Sequence, residues 1–418
     1  MAYSVAAPQA KGKSAEDNIF AANNRANALA DKIGKDKVTN GTVGCILDED
    51  GNLVMLDVVQ EAYKELTPKE IVSYAPIQGY PAFLKDCIDQ CFGASRPDGY
   101  IHALSTPGGT GVLHHAVHNY SSRGDEVLTS DWHWGAYGSV CHDCGRTLTE
   151  FELLTKEGKF NRESFAKEVS RLVEKQYNTV IILNSPANNP TGFGLSSDDW
   201  DWALDFLKKA VEGKDKNIIL VSDVAYLDYS GEKEECRKFF KKFGNLPKNI
   251  LVVVAYTLSK GFTMYGQRMG AMIGITSDRD VAKEFVDINQ YTSRATWSNC
   301  NSAAMKVMEK ICADPERVKK LDAERAKYFQ LIQERADIFM SEAKEAGVKF
   351  LPYLSGFFVT IPVTNSQKVC DILEKEDRIF LVPLKKGIRL AVCSVSKAKL
   401  RGLAAKLGAA IKEAGAKQ

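Results

Sequence analysis

The chain of 418 residues predicts an open α/β fold. Two observations carry that expectation. Thr179–Leu183, Asn217–Ser222 and Asn249–Tyr256 are short runs rich in Val, Ile and Leu, bounded by polar or turn residues, as strands buried on both faces of a parallel sheet require. Between the first two lies Ser197–Glu212, a helical stretch opened by Ser and Asp residues that can cap it. Strand alternating with helix is the pattern of a mostly parallel sheet flanked by helices.

The remaining elements follow in chain order. The first forty or so residues are polar, with short amphipathic stretches and glycines at 34, 41 and 44, and suit an arm rather than a domain. Thr106-Pro107-Gly108-Gly109-Thr110-Gly111 is a glycine-rich turn before a helical run, Val112–Tyr120. From about Asp314 to Ala346 apolar residues at helical spacing predict one long helix, suited to connect a large and a small domain. Strand-like segments at Gly356–Pro362 and Ile388–Ser394 precede a C-terminal helix from about Lys397, so the tail reads as α+β. The expected division is a large domain over 50–312, and an arm plus small domain built from 1–49 and 313–418.

Composition narrows the function. Lys+Arg 55 against Asp+Glu 53 is a near-balance, which offers no electrostatic footprint for nucleic acid or an anionic membrane. Asn249–Leu258, among the longest apolar runs, is too short to span a bilayer. Met1–Asp17 has no hydrophobic segment after its first charges, so no secretory leader is expected. Ten cysteines then read as reduced thiols in a cytoplasmic protein. Cys141-His142-Asp143-Cys144 has redox or zinc spacing, but no second ligand pair at similar spacing is evident, and incidental thiols are the expectation.

In open α/β sheets, ligands bind outside the carboxyl ends of the strands. After Thr179–Leu183 comes a polar turn, Asn184-Ser185-Pro186-Ala187-Asn188-Asn189-Pro190-Thr191-Gly192. After Asn217–Ser222 come Asp223 and Tyr226, and after Asn249–Tyr256 come Thr257, Ser259, Lys260 and, eight residues beyond it, Arg268. An amide, a carboxylate with a phenol, and a lysine with an arginine would meet at one rim. A pyridoxal cofactor requires that set. The amine forms the Schiff base and moves the proton at the substrate's α-carbon. The carboxylate keeps the ring nitrogen protonated, so that the ring acts as an electron sink. The amide and phenol hold the phenolic oxygen, and arginine binds phosphate through bidentate, charge-assisted bonds. The 106–111 turn can add backbone donors at a helix N-terminus. Trp134, in Trp132-His133-Trp134-Gly135, can stack on an aromatic ring. Taken singly, each has a plain reading: a tight turn, a core indole, a helix cap, a surface lysine, an exposed ion pair. The combination in order at strand ends points to chemistry.

Over nearly its whole length the chain resembles the fold-type I pyridoxal-phosphate aminotransferases of the aspartate and aromatic class. The stretches that carry the resemblance are Asn188-Asn189-Pro190-Thr191-Gly192, Asp223-Val224-Ala225-Tyr226, Thr257-Leu258-Ser259-Lys260 with Tyr265 and Arg268, and Gly387-Ile388-Arg389. The resemblance implies a mostly parallel, seven-stranded sheet in the large domain. It implies pyridoxal phosphate as cofactor, with Lys260 as the Schiff-base lysine and proton carrier, Asp223 on the ring nitrogen, Asn189 and Tyr226 on the phenolic oxygen, and Trp134 stacked on the ring. Gly109, Thr110, Thr257, Ser259 and Arg268 would hold the phosphate, joined by Tyr74 from the other subunit of an obligate homodimer. Arg389 would bind the substrate's α-carboxylate, with Asn189 and the backbone near Gly44 beside it. Arg294, 34 residues beyond Lys260, matches the position that binds a side-chain carboxylate from the neighbouring subunit. The implied reaction is ping-pong transamination between aspartate or an aromatic amino acid and 2-oxoglutarate. A lyase or decarboxylase on the same fold is the alternative; a non-enzymatic sensor domain is a further one, for whose DNA-binding segment the arm before Asn40 is too short and too little basic.

Two positions depart from the family's pattern. Asn188 stands where many relatives carry His, and Tyr137 where the aspartate enzymes have a histidine that bonds the ring-nitrogen aspartate. His114 and His118 have the i, i+4 spacing of metal ligands, but no nearby acid or thiol completes a set, so packing or solvent exposure is expected and no metal.

Overall fold

The computed structural model describes residues 5–13 and 18–418, so the reading of 1–17 as free of a leader falls partly outside the described residues. A short β1 (Thr39–Asn40) lies at the periphery. The central sheet is built from β2 (Tyr100–Thr106), β3 (Glu126–Ser130), β4 (Thr147–Phe151), β5 (Asn178–Asn184), β6 (Asn217–Asp223), β7 (Ile250–Thr257) and β8 (Gly270–Thr276), in the order β2-β8-β7-β6-β5-β3-β4. β8 runs antiparallel to both neighbours, and every other pairing is parallel. The sheet is therefore mostly parallel and seven-stranded, as expected.

The alternation of side chains explains why these runs are continuously apolar. Val180 and Ile182 enter one core cluster while Ile181 and Leu183 enter another; Leu251 and Val253 divide from Val252 and Val254 in the same way. Successive side chains point to opposite faces, so a strand covered by helices on both sides needs apolar residues at every position. Each such side chain contributes about 1.5–3 kcal/mol on burial.

The helices carry the signals that start them. Ser197–Val211 is capped by Ser196, whose hydroxyl accepts from the Asp199 amide while Asp199 reaches back in a capping box. The long helix Pro315–Glu345 is capped by Asp314 and buries Leu321, Ile332, Ala336 and Phe339. A second sheet, ordered β11-β12-β9, joins β9 (Phe358–Pro362), β11 (Val382–Leu384) and β12 (Gly387–Ala391), while β1 pairs in parallel with β10 (Ile379–Phe380). The two ends of the chain thus meet.

Three local expectations change. The arm contains a full helix, Asn18–Ile33, followed by Gly34 at a positive φ. The strand expected over Ile388–Ser394 ends at Ala391 and turns into a 3-10 segment, because the Cys393 carbonyl is drawn out of the ladder by the Leu47 amide and by Arg335. The C-terminal helix is split into Lys397–Leu400 and Leu403–Glu413 at Gly402, which is left-handed and donates its amide to Glu342.

Arg335, fully buried, donates to Glu49 and to the carbonyls of Leu47, Asp48 and Cys393. It ties the N-terminal segment to the C-terminal sheet through the long helix. Arg335→Ala should cost about 3–5 kcal/mol, because buried carbonyls and a carboxylate lose a charged donor together. Denaturant unfolding of the full chain measures it; a loss below about 1 kcal/mol would mean that water replaces the guanidinium freely.

Candidate active site

One geometric fact assembles the site. Because β8 runs antiparallel, its first residue lies at the rim where β2 and β7 end: Gly270 pairs with both Thr106 and Thr257. The loop before β8 therefore brings Arg268 to the carboxyl ends of the parallel strands. Next along the rim, Asn184 pairs with Asp223, and Asp223 with Ala255. A bond from the Asn184 side-chain amide to the Asp223 carbonyl (2.9 Å) and one from the Asn189 amide to Asn184 Oδ1 (2.6 Å) lock the 184–192 turn onto β6.

Asp223 is buried, and its carboxylate accepts from Tyr137 Oη at 2.5 Å and from the Ala225 amide at 3.1 Å. Burial pushes its pKa up, and these two bonds pull against the rise. Both donors are neutral, so the carboxylate suits a cationic partner such as a protonated ring nitrogen. Tyr137 thus does the work expected of the histidine it replaces. Asn188, the other departure, closes its own turn through Thr191 and Trp132.

Lys260 sits in the single helical turn Leu258–Gly261 after β7. Its Nζ donates to the Gly44 carbonyl at 2.7 Å and stands 4.9 Å from the ring centre of Tyr265, with Tyr226 and Phe357 each at 5.7 Å. Burial pushes the amine's pKa down; Cys45 and Cys393 oppose this, and the Arg389 and Arg268 charges reinforce it. Such an amine is readied for nucleophilic use. The turn is itself held from beneath: Arg325 Nε donates to the Gly261 carbonyl at 2.7 Å, and a Cβ on Gly261 would come within 1.9 Å of Asp228 Oδ2. Asp228 in turn bonds Arg237. Only glycine allows that close approach.

The phosphate-type cradle lies between two loops. Helix Gly108–Tyr120 opens at Gly108, which has a positive φ (+67°), and a Cβ there would stand 2.9 Å from Arg268 Nη2. Arg268 is left-handed (φ +52°), fixed by its bond to the Tyr265 carbonyl at 2.9 Å. Thr257 and Ser259 hydroxyls bond each other at 2.9 Å. A helix N-terminus, two hydroxyls and a guanidinium packed against a glycine make an anion site. Gly109 and Thr110 lie in that first turn, and Trp134 is partly buried, edge-on to Tyr137 at 5.9 Å.

Beyond Lys260, Asn189 joins two groups. Its amide nitrogen is 3.4 Å from Tyr226 Oη, and its oxygen accepts from Arg389 Nη1 at 3.1 Å. Arg389 also donates to the Thr42 carbonyl at 2.7 Å and lies over Phe358, 4.2 Å from the ring centre. Tyr74 and Arg294 are not brought to this cluster: Tyr74 is 89% exposed, and Arg294 is exposed near the end of helix Arg279–Thr296, bonded to Ser298.

Residues 36–407 match the family described as aminotransferase class I and II. The chain belongs to this family. It is an aminotransferase. The solved structure of an aminotransferase from Anaerococcus prevotii is 37% identical and superposes with a TM-score of 0.94, covering 97% of this chain and 99% of that one. The cytoplasmic aspartate aminotransferase of Dictyostelium discoideum is 26% identical over 356 residues, 82% of this chain and 77% of that protein. An aromatic-amino-acid aminotransferase of Burkholderia pseudomallei, solved covalently bound to pyridoxal phosphate, shares the fold at 21% identity with a TM-score of 0.78, covering 97% of this chain and all (100%) of that one.

Several residues of the aminotransferase's site escaped sequence reasoning. Thr42, rather than Gly44, supplies the carbonyl beside Arg389, and Gly44 serves Lys260. Phe357, Phe358 and Arg325 lie far from the lysine in sequence, and no local pattern marks them. One expectation is overturned. His114 and His118 do have a thiol beside them: Cys144 comes within 4.8 Å, because helix Ala136–Asp143 packs its end against helix Gly108–Tyr120.

Tyr137→Phe tests the Asp223 arrangement. The hydroxyl lowers the carboxyl's pKa, so removing it raises that pKa and the carboxylate is lost at a higher pH as acid is added. The acid limb of the kcat/KM profile should move up by about 1 in pH, the equivalent of a bond worth about 1.5 kcal/mol. Tyr137→His, which still donates, should keep the limb near its original place.

Proposed function

We propose that this aminotransferase exchanges an amino group between an L-amino acid, aspartate or an aromatic one, and 2-oxoglutarate in a ping-pong cycle with pyridoxal phosphate. The observation that carries the reading is the convergence of Lys260, Asp223 and Arg268 from three strands at one rim. The donor set fits the group: an anion cradle that a Cβ at Gly108 would fill, a buried carboxylate suited to a cation, and an amine with depressed pKa. When bound, the cofactor supplies an aldehyde for imine formation and a ring that takes up the electron pair of the substrate's α-carbon.

The chain's own groups do the rest. Lys260 Nζ would hold the cofactor through its aldehyde and is the base placed to take and return the proton at the substrate's α-carbon. Asp223 would keep the proton on the ring nitrogen, and the Tyr137 bond favours the ionised form of Asp223. Asn189 and Tyr226 would hold the phenolic oxygen, and Trp134 would stack on the ring. Gly109, Thr110, Thr257, Ser259 and Arg268 hold the phosphate. Arg389 binds the α-carboxylate, and its bond to Asn189 couples substrate and cofactor sites.

The same reading makes the enzyme a cytoplasmic homodimer, with Tyr74 and Arg294 crossing to the other subunit. Their exposure in the single chain supports this, as does the name of the Dictyostelium relative for the location. It divides the chain into 50–312 and 1–49 plus 313–418, supported by the pairing of β1 with β10.

Three measurements test the proposal. Lys260→Ala should abolish transamination and the visible absorbance of the lysine-bound cofactor; retained turnover would remove Lys260 from its role. In the unaltered protein, capture of pyridoxal phosphate by the apo-form should rise with pH and level off below the ordinary lysine value of 10.5, since burial lowers the amine's pKa. Arg294→Ala should lower kcat/KM for aspartate by about ten- to several-hundred-fold, the range of one charged hydrogen-bond pair, while sparing phenylalanine. Unchanged selectivity would leave Arg294 as an interface residue only.

A further inference from the structure

Away from the rim, two helices bring three metal-ligating side chains together. His114 and His118 lie one turn apart on helix Gly108–Tyr120, rings stacked with centroids 5.5 Å apart. Cys144 is the C-cap of helix Ala136–Asp143. One ligand atom from each of the three lies within 4.8 Å of the other two. We propose that His114, His118 and Cys144 form a zinc site that pins the end of helix Ala136–Asp143 to helix Gly108–Tyr120.

The donor chemistry selects zinc. Two imidazoles and a thiolate are borderline-soft ligands, and zinc takes them at about 2.0–2.3 Å in a tetrahedron, with ligand atoms about 3.3–3.8 Å apart. The side chains must close by about 1 Å, a change within χ rotation for His118, which is exposed at the helix end. His114 is steadied by His115 (Nδ1 to Nδ1, 3.3 Å), itself held by Ser293 at 3.0 Å and stacked on Trp297. Such neighbours orient a ligating ring. A water completes the fourth position.

The surrounding charges divide. His118 lies in the last turn of its helix and Cys144 at the end of the other, and the carbonyls of both are taken up by the Arg146 guanidinium. Asp143, paired with Lys13 at 3.0 Å, adds a carboxylate nearby. Arg146, Arg123 and Lys13 bring positive charge toward the site, which the Cys144 thiolate and Asp143 offset in part. On binding, the Cys144 thiol proton passes to solvent, a sulfur–zinc bond forms, and no electron changes hands. The consequence reaches the rim, since the same helix carries Tyr137, the donor to Asp223.

The test uses the full chain with its cofactor, freed of metal by a chelator and titrated with Co2+. One equivalent should bind with micromolar or tighter affinity and give the red absorption bands of tetrahedral cobalt, clear of the cofactor. Zinc should erase them. Cys144→Ser and His118→Ala should each weaken binding by more than about 100-fold, beyond the loss caused by removing a mere supporting residue, with the circular dichroism of the fold retained. Binding weaker than micromolar in the unaltered protein, or binding without those bands, overturns the proposal. So does unchanged affinity in either variant, because the metal would then sit elsewhere.

Discussion

A carboxylate buried at the end of β6 is the constraint on which the rest of the site depends. Asp223 is taken out of water by a sheet covered on both faces, and burial alone favours its neutral acid. Ionisation there requires donors, and the fold supplies them from two directions: Tyr137 from a helix after β3, and the Ala225 amide from the strand's own continuation. A carboxylate in this setting is suited to stabilise a cationic ring. A surface aspartate would lose that preference to water.

The lysine is governed by the same physics with the opposite sign. Burial disfavours the ammonium form, and the Arg389 and Arg268 charges add to this against the pull of the Gly44 carbonyl and the surrounding rings, so the amine's pKa is held down. Its position comes from a network that never touches a ligand. Arg325 bonds the Gly261 carbonyl and Asp228 packs where a side chain on Gly261 would be, so the long helix fixes the turn that carries the lysine. Removing a charge from such a buried set costs more than the bond itself, because the partner charge is stranded. The arrangement makes the rigidity of the site a property of the whole fold.

The antiparallel β8 settles a further question of geometry. In an all-parallel sheet the segment leading into a strand lies at the amino edge, away from ligands. By reversing one strand, the chain returns Arg268 to the rim only eight residues after Lys260 has left it. The price is a left-handed arginine and two glycines, Gly108 and Gly270, that let the loop and the strand touch.

What the amino-acid sequence by itself determined is what depends on neighbours along the chain. Doubly buried strands announce themselves by continuous apolar runs and helix starts by their caps, and Asn189, Asp223, Lys260 and Arg268 stood out as candidates at or just past strand ends. The long helix at 314–346 was legible for the same reason: its period is local. Tertiary structure decided whatever required two distant segments to meet. The end of β12 was set by Leu47 and Arg335, the carbonyls beside Lys260 and Arg389 came from 42–44, and Tyr137 proved a donor to Asp223 only when a helix delivered it. Cys144 met His114 and His118 in the same way. Spacing reports side chains that share a face of one element, whereas a site between elements is created by packing, and packing is not written at any single position.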